Sequence, residues 1–324
     1  MKQVYARIAA LVVTAGTVLF AVSAANAQSG STIQITGPAA LVINSDSFPP
    51  AGTSLLISDS GLLIVQGPGS LEIIDGSLSL TDQGRLSLEG GSSSSITNGS
   101  TSLQDNARIS LTGGSTLTTE GGFLQTNGTT EIEAGSRIDG TGSFALNDGT
   151  VIVDGDLIRT GVTVSGGTLA GIGTVSGGVD NTGGTVGAGV APGTLSVEGG
   201  YTQGPGGTLA IEIGSLLAFD ALNVTGGAAL GGILDLNVDA GYAATAQVGE
   251  SFTIMEWDGV SGAFDTVTGL NFGADKFFAL DYGATGLTLT VSTSAVAASE
   301  PGMIALMGLG LIGIGLTRRR RKHA

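Results

Sequence analysis

The chain has 324 residues and no cysteine, with 57 glycines, 7 prolines and an apolar share of 41%. The lack of cysteine removes disulfide frameworks, thiol nucleophiles and thiolate metal sites; the patterned apolar share argues against disorder, and glycine that does not recur at every third position excludes collagen. Residues 28–299 carry 26 acidic side chains against 5 basic ones, a local charge of −21 that repels nucleic acid and anionic surfaces.

Residues 1–27 read as a secretory signal. Lys2 and Arg7 make a positive start, residues 8–22 an apolar run, and Ala25-Asn26-Ala27 the small residues of a cleavage site, with Ala25 and Ala27 at the cleavage positions. Residues 28–54 form a lead-in. Ile33, Ile35, Leu41 and Ile43 alternate as paired strands do, and Phe48-Pro49-Pro50 breaks the pairing. This lead-in is expected to cap the structure that follows and to cover Leu62 and Ile64, which face outward.

Residues 55–200 contain a repeat. Asp59-Ser60-Gly61-Leu62-Leu63-Ile64-Val65 is followed 23 residues later by Asp82-Gln83-Gly84-Arg85-Leu86-Ser87-Leu88, and after 23 more by Asp105-Asn106-Ala107-Arg108-Ile109-Ser110-Leu111. A fixed period in this range marks a solenoid, and the alternation inside each unit marks short strands with one face inward. The fold class expected is all-β: a parallel β-helix of about 23 residues per coil, with a C-terminal β-rich capping region and a C-terminal hydrophobic helix. Coils should stack at about 4.8 Å, and each inward Leu or Ile should contribute about 1.5–3 kcal/mol. After Thr116 the repeat is no longer readable, although strands continue; at roughly 20–25 residues per coil, six or seven coils are expected.

Residues 201–292 are richer in aromatic side chains, with six of the ten Phe, Trp257 and three of the four Tyr after Gly200. They read as a β-rich region that either continues the rod or folds separately. Residues 293–298 are a small-residue linker. Residues 299–324 then run Ser299-Glu300-Pro301, an apolar stretch over 302–316, and Arg318-Arg319-Arg320-Arg321-Lys322. As a helix the apolar stretch would span about 22 Å, short for a hydrocarbon core of about 30 Å, with the cations holding the end on the cytoplasmic side.

Two resemblances follow from these residues. Gly167-Thr168-Leu169-Ala170-Gly171-Ile172-Gly173-Thr174-Val175, Val190-Ala191-Pro192-Gly193-Thr194-Leu195, Tyr201-Thr202-Gln203 and Asp220-Ala221-Leu222-Asn223-Val224 resemble the late passenger region of bacterial autotransporters, which implies a β-helix. The translocating barrel of that family has no counterpart. The tail resembles the PEP-CTERM sorting signal of exported Gram-negative proteins, with Ser299 where the first proline is expected. That resemblance implies transient anchoring in the inner membrane, an exosortase-type sorting enzyme as partner, and delivery to the cell surface or extracellular matrix, with extracellular polysaccharide as a further partner.

Chemistry is sparse in the body. The single histidine, His323, lies behind the basic tail, so neither a Ser-His-Asp system nor a His metal site can be built there. Glu131 with Glu133, Asp154 with Asp156, and Glu256 with Asp258 have the two-residue spacing that puts carboxylates on one face of a strand, as glycoside hydrolysis would need. Arg85 and Arg108 should stack in adjacent coils, their charge balanced in solvent. Asp59, Asp82 and Asp105 should form a column at a corner, read first as turn chemistry and alternatively as a weak calcium ladder. No catalytic residue, cofactor or metal is assigned. The expectation is an exported, non-enzymatic structural or adhesive rod. The alternatives are a carbohydrate-active β-helix enzyme, a polysaccharide lyase or glycosidase, and a glycan-binding module using exposed Trp257 or Tyr242.

Overall fold

The computed structural model describes residues 11–14, 17–20, 32–37, 40–43, 49–188, 192–273 and 275–293. The chain is a parallel β-helix. Three sheets of 14, 12 and 11 strands run the length of a rod, because nearly every coil contributes one strand to each. Sheet B contains Ser54–Ile57, sheet A Leu62–Gln66 and sheet C Ser70–Ile74, and the chain visits them in that order in each coil. The three 23-residue units stack in register, with Leu63 beside Leu86 and Leu86 beside Ile109.

The coil length is not constant. In sheet A the residues lined up beside one another are Leu62, Arg85, Arg108, Thr129, Thr150, Thr168, Thr185, Thr208, Ile233 and Thr266. The steps are 23, 23, 21, 21, 18, 17, 23, 25 and 33 residues. Seven of these strands start between residues 55 and 200.

The corner from sheet B to sheet A shows how the coil contracts. In the 23-residue coils Asp59, Asp82 and Asp105 occupy it with φ near +56°, a left-handed conformation that Asp tolerates by bonding locally. Four residues separate Leu103 from Arg108, whereas three separate Gln125 from Thr129, and Gly128 takes the positive φ. In the sheet B column that holds Ile57, Leu80 and Leu103, later coils place the polar side chains Gln125, Asn181 and Gln203, which bond to nearby backbone. Gln125 donates to Gly128 O and Thr150 O, both at 3.0 Å, and accepts from the Thr130 hydroxyl. Gln203 donates to Gly207, Gly231 and Ile233 carbonyls and accepts from the Tyr201 phenol. Buried backbone groups are thereby satisfied inside a mostly apolar core.

That core is a set of columns, one residue per coil. In sheet B it runs Leu55, Leu78, Thr101, Phe123, Phe144, Val162, Val179 and Tyr201, all buried. Phe123 and Phe144 stack with ring centroids 4.5 Å apart, close to the strand spacing.

Both ends differ from a simple cap. The lead-in strands Thr32–Ile35 and Ala40–Ile43 join sheets B and A as parallel neighbours of Ser54–Ile57 and Leu62–Gln66. They meet Leu62 and Ile64 edge to edge, through Ala40 and Val42, and both side chains are half-buried. Leu11–Thr14 and Thr17–Phe20, inside the expected leader, form an antiparallel hairpin whose Leu19 pairs with Ala40. At the other end the region 201–292 does two things. It continues the three sheets through Gly259–Gly262 and Thr266–Thr268, and it ends in an antiparallel run in sheet C, where Ser251–Glu256, Gly286–Ser292, Lys276–Tyr282 and Asn271–Gly273 lie side by side. Phe219, Tyr242 and Phe278 each meet Phe252 edge-on there, and Phe272 stacks on Phe278.

Candidate functional site

Two members of the Asp column, Asp82 and Asp105, have a structural use between coils. Asp82 accepts the Asp59 amide at 3.3 Å and Asp105 accepts the Asp82 amide at 3.1 Å, so each carboxylate holds the turn of the preceding coil. Among the described residues no group of three or more His, Cys, Asp or Glu side chains is placed to hold a metal ion.

The paired carboxylates are scattered along the rod. Glu131 lies on the outer face of sheet A in an ion pair with Arg108 from the preceding coil, and Glu133 is exposed at the following corner. Asp154 sits in a corner and accepts the Ile172 amide, while Asp156 begins the next strand of sheet C. Glu256 and Asp258 are exposed on either side of a buried Trp257. Arg85 and Arg108 are in register as expected, and the partner of Arg108 is Glu131.

Trp257 and Tyr242 are only 3% and 7% exposed, which overturns the expectation that either is a sugar platform. An irregularity in the pairing between Thr253 and Met255 lets Ile254 and Met255 both face inward and carries Trp257 in with them. Tyr242 donates to Glu250 at 2.7 Å. Burial, with the Glu250 bond and charge, pushes the phenol well above its ordinary value. The same bond, with the Gln247 amide, lowers Glu250.

Two buried charged groups escaped the sequence reading. Arg159 reaches across Gly140 to the coils before it. Its Nη1 donates to Thr119 O at 2.9 Å, Thr119 Oγ1 at 2.5 Å and Asp139 O at 3.3 Å, and its Nη2 to Gly121 O at 2.7 Å and Ser143 O at 3.3 Å. Burial lowers its pKa, with Asp139 opposing. Asp220 accepts the Gly193 amide at 3.1 Å and the Glu212 amide at 2.9 Å. Burial raises its pKa against those two bonds. Each ties neighbouring segments of backbone together. The one clue in the sequence is the glycine at 140, which leaves the room that Arg159 fills.

What the rod presents outward is repetition. Thr129, Thr150, Thr168, Thr185 and Thr208 form one half-buried column on sheet A. Ser79 and Ser102 are hydrogen-bonded across coils on sheet B, and Ser70, Ser93 and Thr116 align on sheet C. The expected cleavage residues Ala25 and Ala27, the motif Ser299, Glu300 and Pro301, and the cluster Arg318, Arg319, Arg320, Arg321 and Lys322 all lie outside the described residues, as does the expected C-terminal helix. No helix among the described residues is long and apolar enough to cross a membrane.

The fold places the chain in the class of parallel β-helix solenoids. Comparison with models of known protein families and with curated proteins finds no match.

Proposed function

We propose that this chain is an exported structural or adhesive rod that catalyses no reaction. It reaches the cell surface or extracellular matrix through its leader and a PEP-CTERM-like tail, with a membrane-anchored intermediate and an exosortase-type enzyme as processing partner. The observation that carries the reading is the in-register repetition of hydroxyl columns over successive coils. Such a surface suits many weak, identical contacts with a repetitive polymer such as extracellular polysaccharide, where strength comes from number. The buried Arg159 and Asp220 fit the same reading, because both are bonded to the backbone of neighbouring segments.

The test is fractionation of the native host, with the C-terminus of the mature form determined by mass spectrometry. Recovery from the surface or matrix fraction, ending near Pro301, is the expected result. An intact tail in a cytoplasmic fraction, or depolymerisation of polysaccharide by the purified chain, would overturn it.

A further inference from the structure

We infer that one edge of the rod, at its C-terminal end, rests on the lipid bilayer that holds the tail, with the hairpin tip Leu216-Leu217 inserted among the lipids. The inference deepens the anchoring reading above and rests on it. Leu217 is 95% exposed and Leu216 43%, and in the next coil Val248 is 60% exposed. An exposed pair of leucines at a loop tip has no use in the packing of the rod.

Topology brings these residues to the point where the tail leaves. The tip follows Thr208–Ser215 at the corner from sheet A to sheet C. In the next coil that corner holds the short helix Ala240–Thr245, whose Ala240 and Ala244 are exposed, and then Val248. Phe219, two residues past the tip, packs on Phe252. Gly286–Ser292 runs antiparallel to Ser251–Glu256, so its end returns to this same corner. The Gly249 amide donates to Val291 O and the Val291 amide to Glu250 O, both at 2.9 Å. Val248 is therefore beside the end of the last strand. Eight residues, 294–301, separate the described chain from the apolar stretch 302–316. Fully extended they reach no more than about 29 Å, so a tail in the bilayer keeps this edge at the membrane. Acidic side chains flanking this corner are hydrogen-bonded: Asp220 accepts the Gly193 and Glu212 amides, Asp239 caps the helix and Glu250 accepts from Tyr242.

The chain contains no cysteine, so a single introduced thiol labels one site. Full-length Leu217→Cys, Leu124→Cys and Leu306→Cys chains, each carrying an environment-sensitive fluorophore, would be reconstituted into phosphatidylcholine vesicles with brominated acyl chains. The expected result is a blue shift and loss of emission at 217 and 306, with 124 unchanged, although Leu124, on the outer face of sheet B, is also exposed at 39%. Loss at 306 but not at 217 overturns this inference and leaves the anchoring reading intact. Loss at neither position overturns both. A shielded label at 217 without lipid also overturns it, because another part of the protein then covers the tip.

Discussion

Replacing Arg159 by methionine keeps most of the buried stem and removes every donor. Its two shortest bonds to backbone carbonyls, to Gly121 O at 2.7 Å and Thr119 O at 2.9 Å, are charge-assisted and contribute about 1.5–3 kcal/mol each. Their gross loss is about 3–6 kcal/mol. Relief from burying a guanidinium returns part of this, since the penalty for a buried ion is several kcal/mol before compensation. The expected net destabilisation is about 2–4 kcal/mol. Urea unfolding followed by far-ultraviolet circular dichroism reads it as a lower midpoint. A companion change, Gly140→Ala, acts on the same bonds, because its Cβ would lie 1.9 Å from Thr119 O and 2.9 Å from Arg159 Nη1. A midpoint for Arg159→Met equal to or above that of the parent would refute the reasoning. It would mean that desolvation outweighs the five bonds, so that Arg159 is tolerated and does not serve as a staple.

Gly99→Ala is expected to prevent normal stacking, since the added Cβ would fall 1.6 Å from Gly76 O in the preceding coil; loss of the soluble folded form by gel filtration and circular dichroism checks this. Asp82→Ala should cost about 1–2 kcal/mol in left-handed strain and a further ~1 kcal/mol in the lost bonds from the Asp59 amide and the Thr81 hydroxyl, whereas Asp82→Gly should lose the bonds without the strain; urea midpoints separate the two. Glu250 has its folded pKa depressed below 4.5, first by the Tyr242 bond. Its contribution is therefore present above that value and disappears as pH falls through the folded pKa. Glu250→Gln should flatten the acid limb of the stability profile, and an unchanged slope would refute the assignment. Calcium at millimolar concentration should leave the thermal midpoint unchanged, because the Asp82 and Asp105 carboxylates already accept backbone amides and no group of three acidic side chains converges among the described residues.

The three aligned units around Asp59, Asp82 and Asp105 revealed the fold because their corners are the same length and chemistry. Legibility ended where the Asp corner gave way to the shorter Gly128 corner: losing residues from a turn leaves the strands in register in space while shifting them in the sequence. Alternation survived that change, as at Val151 and Val153, so strands could still be recognised without their partners. The lead-in was harder. Its alternation suggested strands, but only the pairing of Ile33 with Leu55 and Leu41 with Leu63 shows them as another layer of the same sheets. The burial of Trp257 is not legible in the sequence, because the irregular pairing between Thr253 and Met255 breaks the rule of two. Arg159, in Leu157-Ile158-Arg159, looks like any solvent-facing strand end; its acceptors lie up to 40 residues earlier, and local pattern carries no sign of them.

The uneven steps along sheet A have a mechanical corollary. Each circuit adds the same height, about 4.8 Å, whether it uses the 17 residues from Thr168 to Thr185 or the 33 from Ile233 to Thr266. Residues therefore set the girth, and the number of circuits sets the reach. Tugged from one end and peeled layer by layer, the filament would release unequal slack, about 60 Å from the narrowest turn and about 110 Å from the widest. A rod built this way would yield in graded steps under load, giving most line where it is thickest.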